Sequence, residues 1–269
     1  MIDYSKVKLV VSDMDGTLLN SKGEVSQHFF QLFKKLQNKN IQFCAASGRQ
    51  HNSIVDKLNA IKDEILVIAE NGGIAKNKED ILLSHFLSSE KVLKLIPALR
   101  DIENANIVLC CDGKAFIESK DQHFINLFQE YYYSFQQVHD LLEIAKKIPV
   151  FKIAVYHFES SEKFIYPVIQ NFKNDVLLKI SGKNWLDISD EKANKGNALR
   201  QVQSLLNITK AETMVFGDYH NDIEMMQEAD FSFAMKNAHQ DIKNLAKFST
   251  DSNDNLGVEL ILEKLISNI

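Results

Sequence analysis

Asp13 and Asp15 stand two residues apart at the end of an apolar run, in VKLVVSDMDGTLLN (7–20), and Gly16 and Thr17 follow at once. Carboxylates held so close repel each other, so the pattern requires a shared proton or a bound cation. Three more polar groups close apolar runs in the same way. They are Ser47, Gly48 and Arg49 after Ile41 to Ala45, Glu70 and Asn71 after Ile65 to Ala69, and Gly217 and Asp218 with Asn221 and Asp222 after TMVFG. Lys195 opens a helix-like segment, where its ammonium and the free N–H groups of a helix N-terminus can both meet an anion. Phosphoryl transfer needs such a set, because its catalysis is chiefly positioning and neutralisation of charge on the phosphoryl oxygens. Asp13, Asp218 and Asp222 are hard oxygen donors, and the histidines and cysteines show no zinc-type spacing, so Mg²⁺ suits the set better than zinc. Taken singly, each residue has a blander account. Asp13 and Asp15 would make a strand-end turn with a helix cap, Ser47 a turn residue, and Lys195 a solvated helix lysine. Glu70 and Asn71 could shape a turn before Gly72 as readily as meet a substrate. The order of the whole set, at successive strand ends, argues for a site.

The elements that must carry these residues are legible from periodicity. Val7 to Val11 reads as a strand, SQHFFQLFKKLQNKN as a helix capped by Ser26, Ile41 to Ala45 as a strand, IVDKLNAI as a helix and Ile65 to Ala69 as a strand. That β-α-β-α-β order implies a parallel sheet, whose ligands bind beyond the carboxyl ends of its strands. After about Leu83 the rhythm changes. A helix-like SEKVLKLIPALRDIENA leads to NIVLC and KAFIES, joined at Cys111-Asp112-Gly113 as a hairpin. Helical DQHFINLFQEYYY and VHDLLEIAKK, the strand VFKIAVYHF, a helix from Ser161 to Asn174 and a second hairpin, VLLKI to NWLDI, complete this α+β stretch. From Asn194 the α/β alternation resumes. The expected fold is therefore a doubly wound, Rossmann-like parallel-sheet core over 1–83 and 186–269, with an α+β domain inserted at 84–185.

Composition narrows the function. The 269 residues are 45% hydrophobic and 25% charged, which is ordinary for a globular protein and enough for a sizeable core. A formal charge of -5 gives no overall attraction to nucleic acid or an anionic membrane, so neither is expected as a partner. No run reaches the roughly 18 apolar residues of a membrane span. The first residues do not read as a signal peptide. The expected location is the cytoplasm. Cys44, Cys110 and Cys111 lie in apolar runs and read as buried thiols. The cluster Tyr131, Tyr132, Tyr133 and Phe135 reads as core and surface of the insert. KNKED reads as a solvated loop. Monomer and homodimer are both left open.

The segments DMDGTLL, SGR, NKG and GDYHND, in this order, resemble the four motifs of the haloacid dehalogenase-like phosphatases. The long insert between the second and third resembles the type IIB cap of the Cof-type subfamily, and ENGG, AMKNA and SNDNLGV match that subfamily too. The resemblance covers essentially the whole chain. It implies a Mg²⁺-dependent phosphatase acting on a small phosphorylated metabolite, a sugar phosphate or similar, through an aspartyl-phosphate. It puts the nucleophile on Asp13, the acid and base on Asp15, phosphoryl contacts on Ser47 and Asn221, and charge neutralisation on Lys195. Mg²⁺ would be held by Asp13, the Asp15 carbonyl, Asp218 and Asp222, the last directly or through water. Gly48, Arg49 and Asn71 join the expected substrate-binding set. Ser47 stands where Thr is commoner, which keeps the hydroxyl, and ISDEKANKG before Lys195 is unusually acidic. Asp112, Lys114, Lys152, His157 and Lys183 are the insert's candidates for touching the leaving group. The same motifs serve phosphomutases, and a signalling receiver uses a similar acidic cluster without the paired aspartates or the insert.

Overall fold

The computed structural model describes residues 3–129, 131–132 and 134–268. Tyr133, part of the expected aromatic cluster, lies outside them. In chain order the strands are β1 (Leu9–Asp13), β2 (Gln42–Ala46), β3 (Leu66–Ala69), β4 (Ile74–Asn77), β5 (Asp80–Ser84), β6 (Ala105–Cys111), β7 (Lys114–Ile117), β8 (Phe135–Gln137), β9 (Val150–His157), β10 (Leu177–Ile180), β11 (Trp185–Ser189), β12 (Thr213–Gly217), β13 (Phe231–Ala234) and β14 (Phe248–Ser249). They form two sheets. One has the order β14-β13-β12-β1-β2-β3-β4-β5, the other β10-β11-β9-β6-β7-β8.

From β14 to β3 the first sheet is parallel. Every residue of β1 is buried, as expected of a strand covered on both faces. The helix Gln27–Asn38 buries Phe29, Leu32, Phe33 and Leu36, at the spacing that puts one stripe on the core, and the Ser26 side chain accepts from the Phe29 N–H as its cap. It packs on the helix Gly257–Ser267, while the helix Lys195–Leu206 packs on the short helix Ile223–Met226. Beyond β3 the sheet turns antiparallel through β4 and β5, a hairpin that the sequence did not announce. β5 is the edge strand, and Lys76 and Asn77 on β4 with Asp80 on β5 interrupt the apolar run that marks their neighbours. Of KNKED, expected as a loop, only Lys78 and Glu79 form the turn, and the other three residues belong to the strands. The loop after β12 holds a single 3₁₀ turn, His220–Asp222, followed by one α-helical turn, Ile223–Met226.

The second sheet is antiparallel except for the short parallel pair β7 and β8. Its central strand β9 is buried throughout; Phe151 joins the core of the first sheet, and from Ile153 to Tyr156 alternation divides the strand between two further cores. Ile153 and Val155 face the helix Ser89–Arg100, with Leu109, Leu186 and Ile188 beside them. Ala154 and Tyr156 face the opposite way, with Val108, Phe124, Phe128 and Tyr132. Lys152 is in phase with Ala154 and Tyr156. Across the ladder Asp187 pairs with Ala154 and Trp185 with Tyr156, so this face carries a lysine, an aspartate and two large rings. Cys44, Cys110 and Cys111 are buried free thiols, and burial pushes Cys44 and Cys111 up to about 12.

Gly72 joins the loop after β3 to the helix Lys195–Leu206. Its φ is +93°, and an added Cβ would stand 2.4 Å from the Asn194 carbonyl oxygen, a backbone atom that cannot swing aside. Gly72→Ala is expected to cost about 1–3 kcal/mol, from the left-handed φ and the forced separation together. Urea unfolding of the purified variant measures this, and an unchanged midpoint would contradict it.

Candidate active site

The sheet order places β12, β1, β2 and β3 side by side, so the four loops at their carboxyl ends converge. Asp13 closes β1, Ser47 follows β2, Glu70 and Asn71 follow β3, and Asp218 follows β12. Lys195, the first residue of its helix, is fully buried there. Its Nζ donates to Asp13 Oδ1 at 2.6 Å and to Asp222 Oδ1 at 2.7 Å. The other oxygen of Asp222 accepts the N–H groups of Asp218 (2.9 Å) and Tyr219 (3.2 Å), and Asp218 accepts the Thr17 hydroxyl at 3.2 Å. Gly16 lets the chain pass this group, since a Cβ there would lie 2.4 Å from Asp218 Oδ2.

Carboxylate oxygens of Asp13, Asp218 and Asp222 lie within 4.8 Å of one another. Burial, with Asp222 and Asp15 adding repulsion against the pull of Lys195, pushes the Asp13 carboxyl up to about 7. Burial and the charges of Asp13 and Asp222 push Asp218 up to about 9. Burial works against the Lys195 ammonium, but Asp13 and Asp222 outweigh it and hold that group charged. Three carboxylates thus share one ammonium in a poorly hydrated place, a deficit of positive charge that oxygen-seeking cations relieve. The donors fit Mg²⁺, a hard ion that prefers carboxylate, carbonyl and water oxygens.

Asp15, half-exposed, receives a bidentate pair from Arg49, with Nε to Oδ2 at 2.7 Å and Nη2 to Oδ1 at 2.6 Å. The guanidinium lies 5.4 Å from the centre of the Tyr131 ring, within cation–π range. The Arg49 N–H donates to Ser47 Oγ at 3.1 Å, which leaves the hydroxyl hydrogen of Ser47 to donate elsewhere. Asn71 N–H donates to the Ser47 carbonyl, its amide donates to Asp187, and its Oδ1 accepts from Asn221 at 3.0 Å. Glu70 and Asn71 sit at φ 52° and 54°, two consecutive non-glycine residues in the left-handed region. Glu70 is buried 3.4 Å from Lys152, and burial pushes its carboxyl up to about 7 despite that ammonium.

Between the sheets lies a cavity of about 420 Å³, floored by Asp13, Asp15, Ser47 and Asp218 and walled by Tyr131, Tyr156, Lys152, Lys183 and Trp185. Gly48, Arg49 and Asn221 also line it. Asn71, Asp222 and Lys195 lie behind this surface, joined to it by the hydrogen bonds above. Of the insert's five candidates, Lys152 and Lys183 are on the wall. Asp112 stands by Lys76 at 3.7 Å, and Lys114 donates to Gln136. His157 is buried, stacked on Phe164, with Nδ1 accepting the Glu159 N–H. Tyr132 is buried and Tyr131 half-buried, and both line the cavity, as do Trp185, Tyr156 and Asp187, which the sequence alone did not single out. The signal for Asp187 was present, since it interrupts an otherwise apolar strand.

Fold and site together define an α/β enzyme with an acidic centre at the carboxyl edge of a parallel sheet and a second sheet facing it. The chain belongs to the haloacid dehalogenase-like hydrolases, whose family model matches residues 10–262. It is 28% identical over 264 residues, 97% of each chain, to the 5-amino-6-(5-phospho-D-ribitylamino)uracil phosphatase YbjI of Escherichia coli (strain K12). It is 26% identical over 288 residues to phosphatase YwpJ of Bacillus subtilis (strain 168), covering 97% of this chain and 100% of that one. The crystal structure of SMU.1108c from Streptococcus mutans UA159 superposes with a TM-score of 0.89 at 27% identity, over 97% of this chain and 99% of that one.

Glu70 supplies a pH test. Its ordinary value of 4.5 rises to about 7 on folding, so the folded chain keeps a proton that the unfolded chain has released. Its contribution to stability is complete below about pH 4.5 and lost as pH rises through about 7. Glu70→Gln removes that titration. Its melting temperature relative to the wild type is expected to rise between about pH 5 and about pH 8, and a flat difference would show that Glu70 stays ionised.

Proposed function

We propose that this hydrolase is a Mg²⁺-dependent phosphatase, releasing phosphate from a small phosphorylated metabolite such as a sugar phosphate through an aspartyl-phosphate on Asp13. The observation that carries the reading is the buried Lys195, which holds Oδ1 of Asp13, a residue that lines the floor of the cavity. The second carboxylate oxygen of Asp13 attacks phosphorus as the ester P–O bond breaks, and Asp15 gives a proton to the departing oxygen. Arg49 competes with that proton, so its pair with Asp15 loosens when the ester enters, and the guanidinium turns to a phosphoryl oxygen. The Ser47 hydroxyl donates to another phosphoryl oxygen, and Asn221 and the Gly48 backbone border the same group. Lys195 offsets charge on Asp13 throughout. A water molecule then attacks phosphorus, Asp15 takes its proton, and inorganic phosphate leaves with Asp13 restored. Asp13, Asp218, the Asp15 carbonyl, and Asp222 directly or through water, would hold Mg²⁺, which when bound supplies positive charge to the phosphoryl oxygens.

The insert at 84–185, with β11 running on to Ser189, acts as a cap that excludes bulk water and shapes the leaving-group pocket. Its rings at Tyr131, Tyr156 and Trp185 suit the faces of sugars or small rings. The relative whose name specifies a phosphoribityl ester of a uracil supports a substrate of that general size. Three free buried cysteines agree with a cytosolic setting. No helix among the described residues is long and apolar enough to cross a membrane.

The test is phosphate release from a panel of sugar phosphates, nucleotides and cofactor phosphates, with and without Mg²⁺. Turnover is expected to vanish on chelation and return with Mg²⁺. Asp13→Asn is expected to lower kcat by on the order of 10³-fold or more while the protein stays folded. A wild type without turnover on any member, or an Asp13→Asn protein that keeps its rate, would sink this reading. Asp218→Asn is expected to raise the Mg²⁺ concentration for half-maximal rate by about tenfold or more, as loss of a carboxylate ligand should. An unchanged Mg²⁺ dependence would remove Asp218 from the ion's shell.

A further inference from the structure

Lys152 lies on β9 of the second sheet, yet its shortest hydrogen bond goes to the first. Nζ donates to the Gly48 carbonyl at 2.6 Å, while Asp187 is 3.1 Å away and Glu70 3.4 Å. Its side chain is 3% exposed. The two carboxylates balance the ammonium in this buried place, and burial, which opposes the charge, is outweighed by them. The carbonyl takes the close contact.

That carbonyl belongs to the peptide between Gly48 and Arg49. The peptide unit is planar, so holding its oxygen sets the direction of its N–H. The N–H is the Arg49 amide, which donates to Ser47 Oγ and so aims the remaining hydroxyl hydrogen. Arg49 also carries the guanidinium that pairs with both oxygens of Asp15. A second line runs beside the first, in which Asp187 on β11 accepts from Asn71, Asn71 accepts from Asn221, and the Asn71 N–H holds the Ser47 carbonyl. Both connections start on strands of the second sheet and end on residues lining the cavity.

We infer that Lys152 is a positioning residue for the hydrolytic centre: its ammonium, seated on the Gly48 carbonyl, locks the peptide that aims the Ser47 hydroxyl and the Arg49 guanidinium. The centre is therefore fully assembled only while the second sheet is docked on the first. The effect on rate rests on the phosphatase reading above. The geometry of the 47–49 segment does not.

The test uses the whole chain as wild type, Glu70→Gln, Lys152→Met and Lys152→Met/Glu70→Gln, with Lys120→Met as an exposed control outside the cavity. The double variant is included because Lys152→Met alone strands Glu70 beside Asp187 without a cation and can unfold the protein. Two quantities are measured, kcat and KM on the best ester of the panel, and amide hydrogen exchange in residues 47–50. Relative to Glu70→Gln, the double variant is expected to lose on the order of 10- to 100-fold in kcat, with KM changed by less than about threefold. Exchange at 47–50 is expected to quicken by about tenfold or more while the rest of the first sheet keeps its protection. A folded double variant with unchanged kcat and unchanged exchange overturns the inference. A raised KM at unchanged kcat also overturns it, since Lys152 would then be holding the leaving group. A wild type without turnover sinks the phosphatase reading instead, and the exchange measurement still decides whether Lys152 holds the loop.

Discussion

A single ammonium organises this protein's chemistry. Lys195 stands buried between Asp13 and Asp222, and each of the three would be costly to bury alone. Asp222 spends its second oxygen on the backbone of Asp218 and Tyr219, so the position of the loop after β12 depends on the same lysine that holds the end of β1. The glycines nearby follow from this crowding. Gly16 makes room for Asp218, and Gly72 lets the loop after β3 lie against the turn from which Lys195 starts. Packing here serves charge placement.

The second sheet meets this centre with one face of mixed character. Its large rings line the cavity, and Lys152 and Asp187 on the same face reach the loops after β2 and β3. The two sheets therefore communicate through directional bonds as well as apolar contact. A buried lysine with two carboxylates is a poor source of net stability compared with an apolar cluster, but it tolerates little misplacement, and that is the property a catalytic loop needs.

The parallel strands could be read in the sequence because strands covered on both faces are continuous apolar runs, and the polar residues that end β1, β2, β3 and β12 stood out against them. Ser26 as a cap and the Asp112-Gly113 hairpin turn are equally local signals and were equally legible. Strands β4 and β5 were missed because Lys76, Asn77 and Asp80 break their apolar signal, and β8 and β14 because two or three residues have no period. Lys152 and His157 were both proposed to touch the leaving group. They are five residues apart on one strand, an odd interval that puts them on opposite faces, so strand alternation alone excludes one of the two. Which one faces the cavity is set by the docking of the sheets, as are the pairing of Arg49 with Asp15 across 34 residues and the exposure of Tyr131. These are non-local facts with no signature along the chain.

Trp185 is the only tryptophan in the sequence, and it stands on the cavity wall with Tyr156 and Tyr131 edge-on to it. Indole emission responds to the polarity and quenching groups around the ring, so the whole intrinsic tryptophan signal of this protein arises at one place, where the second sheet faces the first. Filling the cavity, or parting the sheets, changes the surroundings of that one fluorophore. The molecule thus carries an unlabelled optical gauge of its own occupancy, readable on the millisecond scale of mixing experiments.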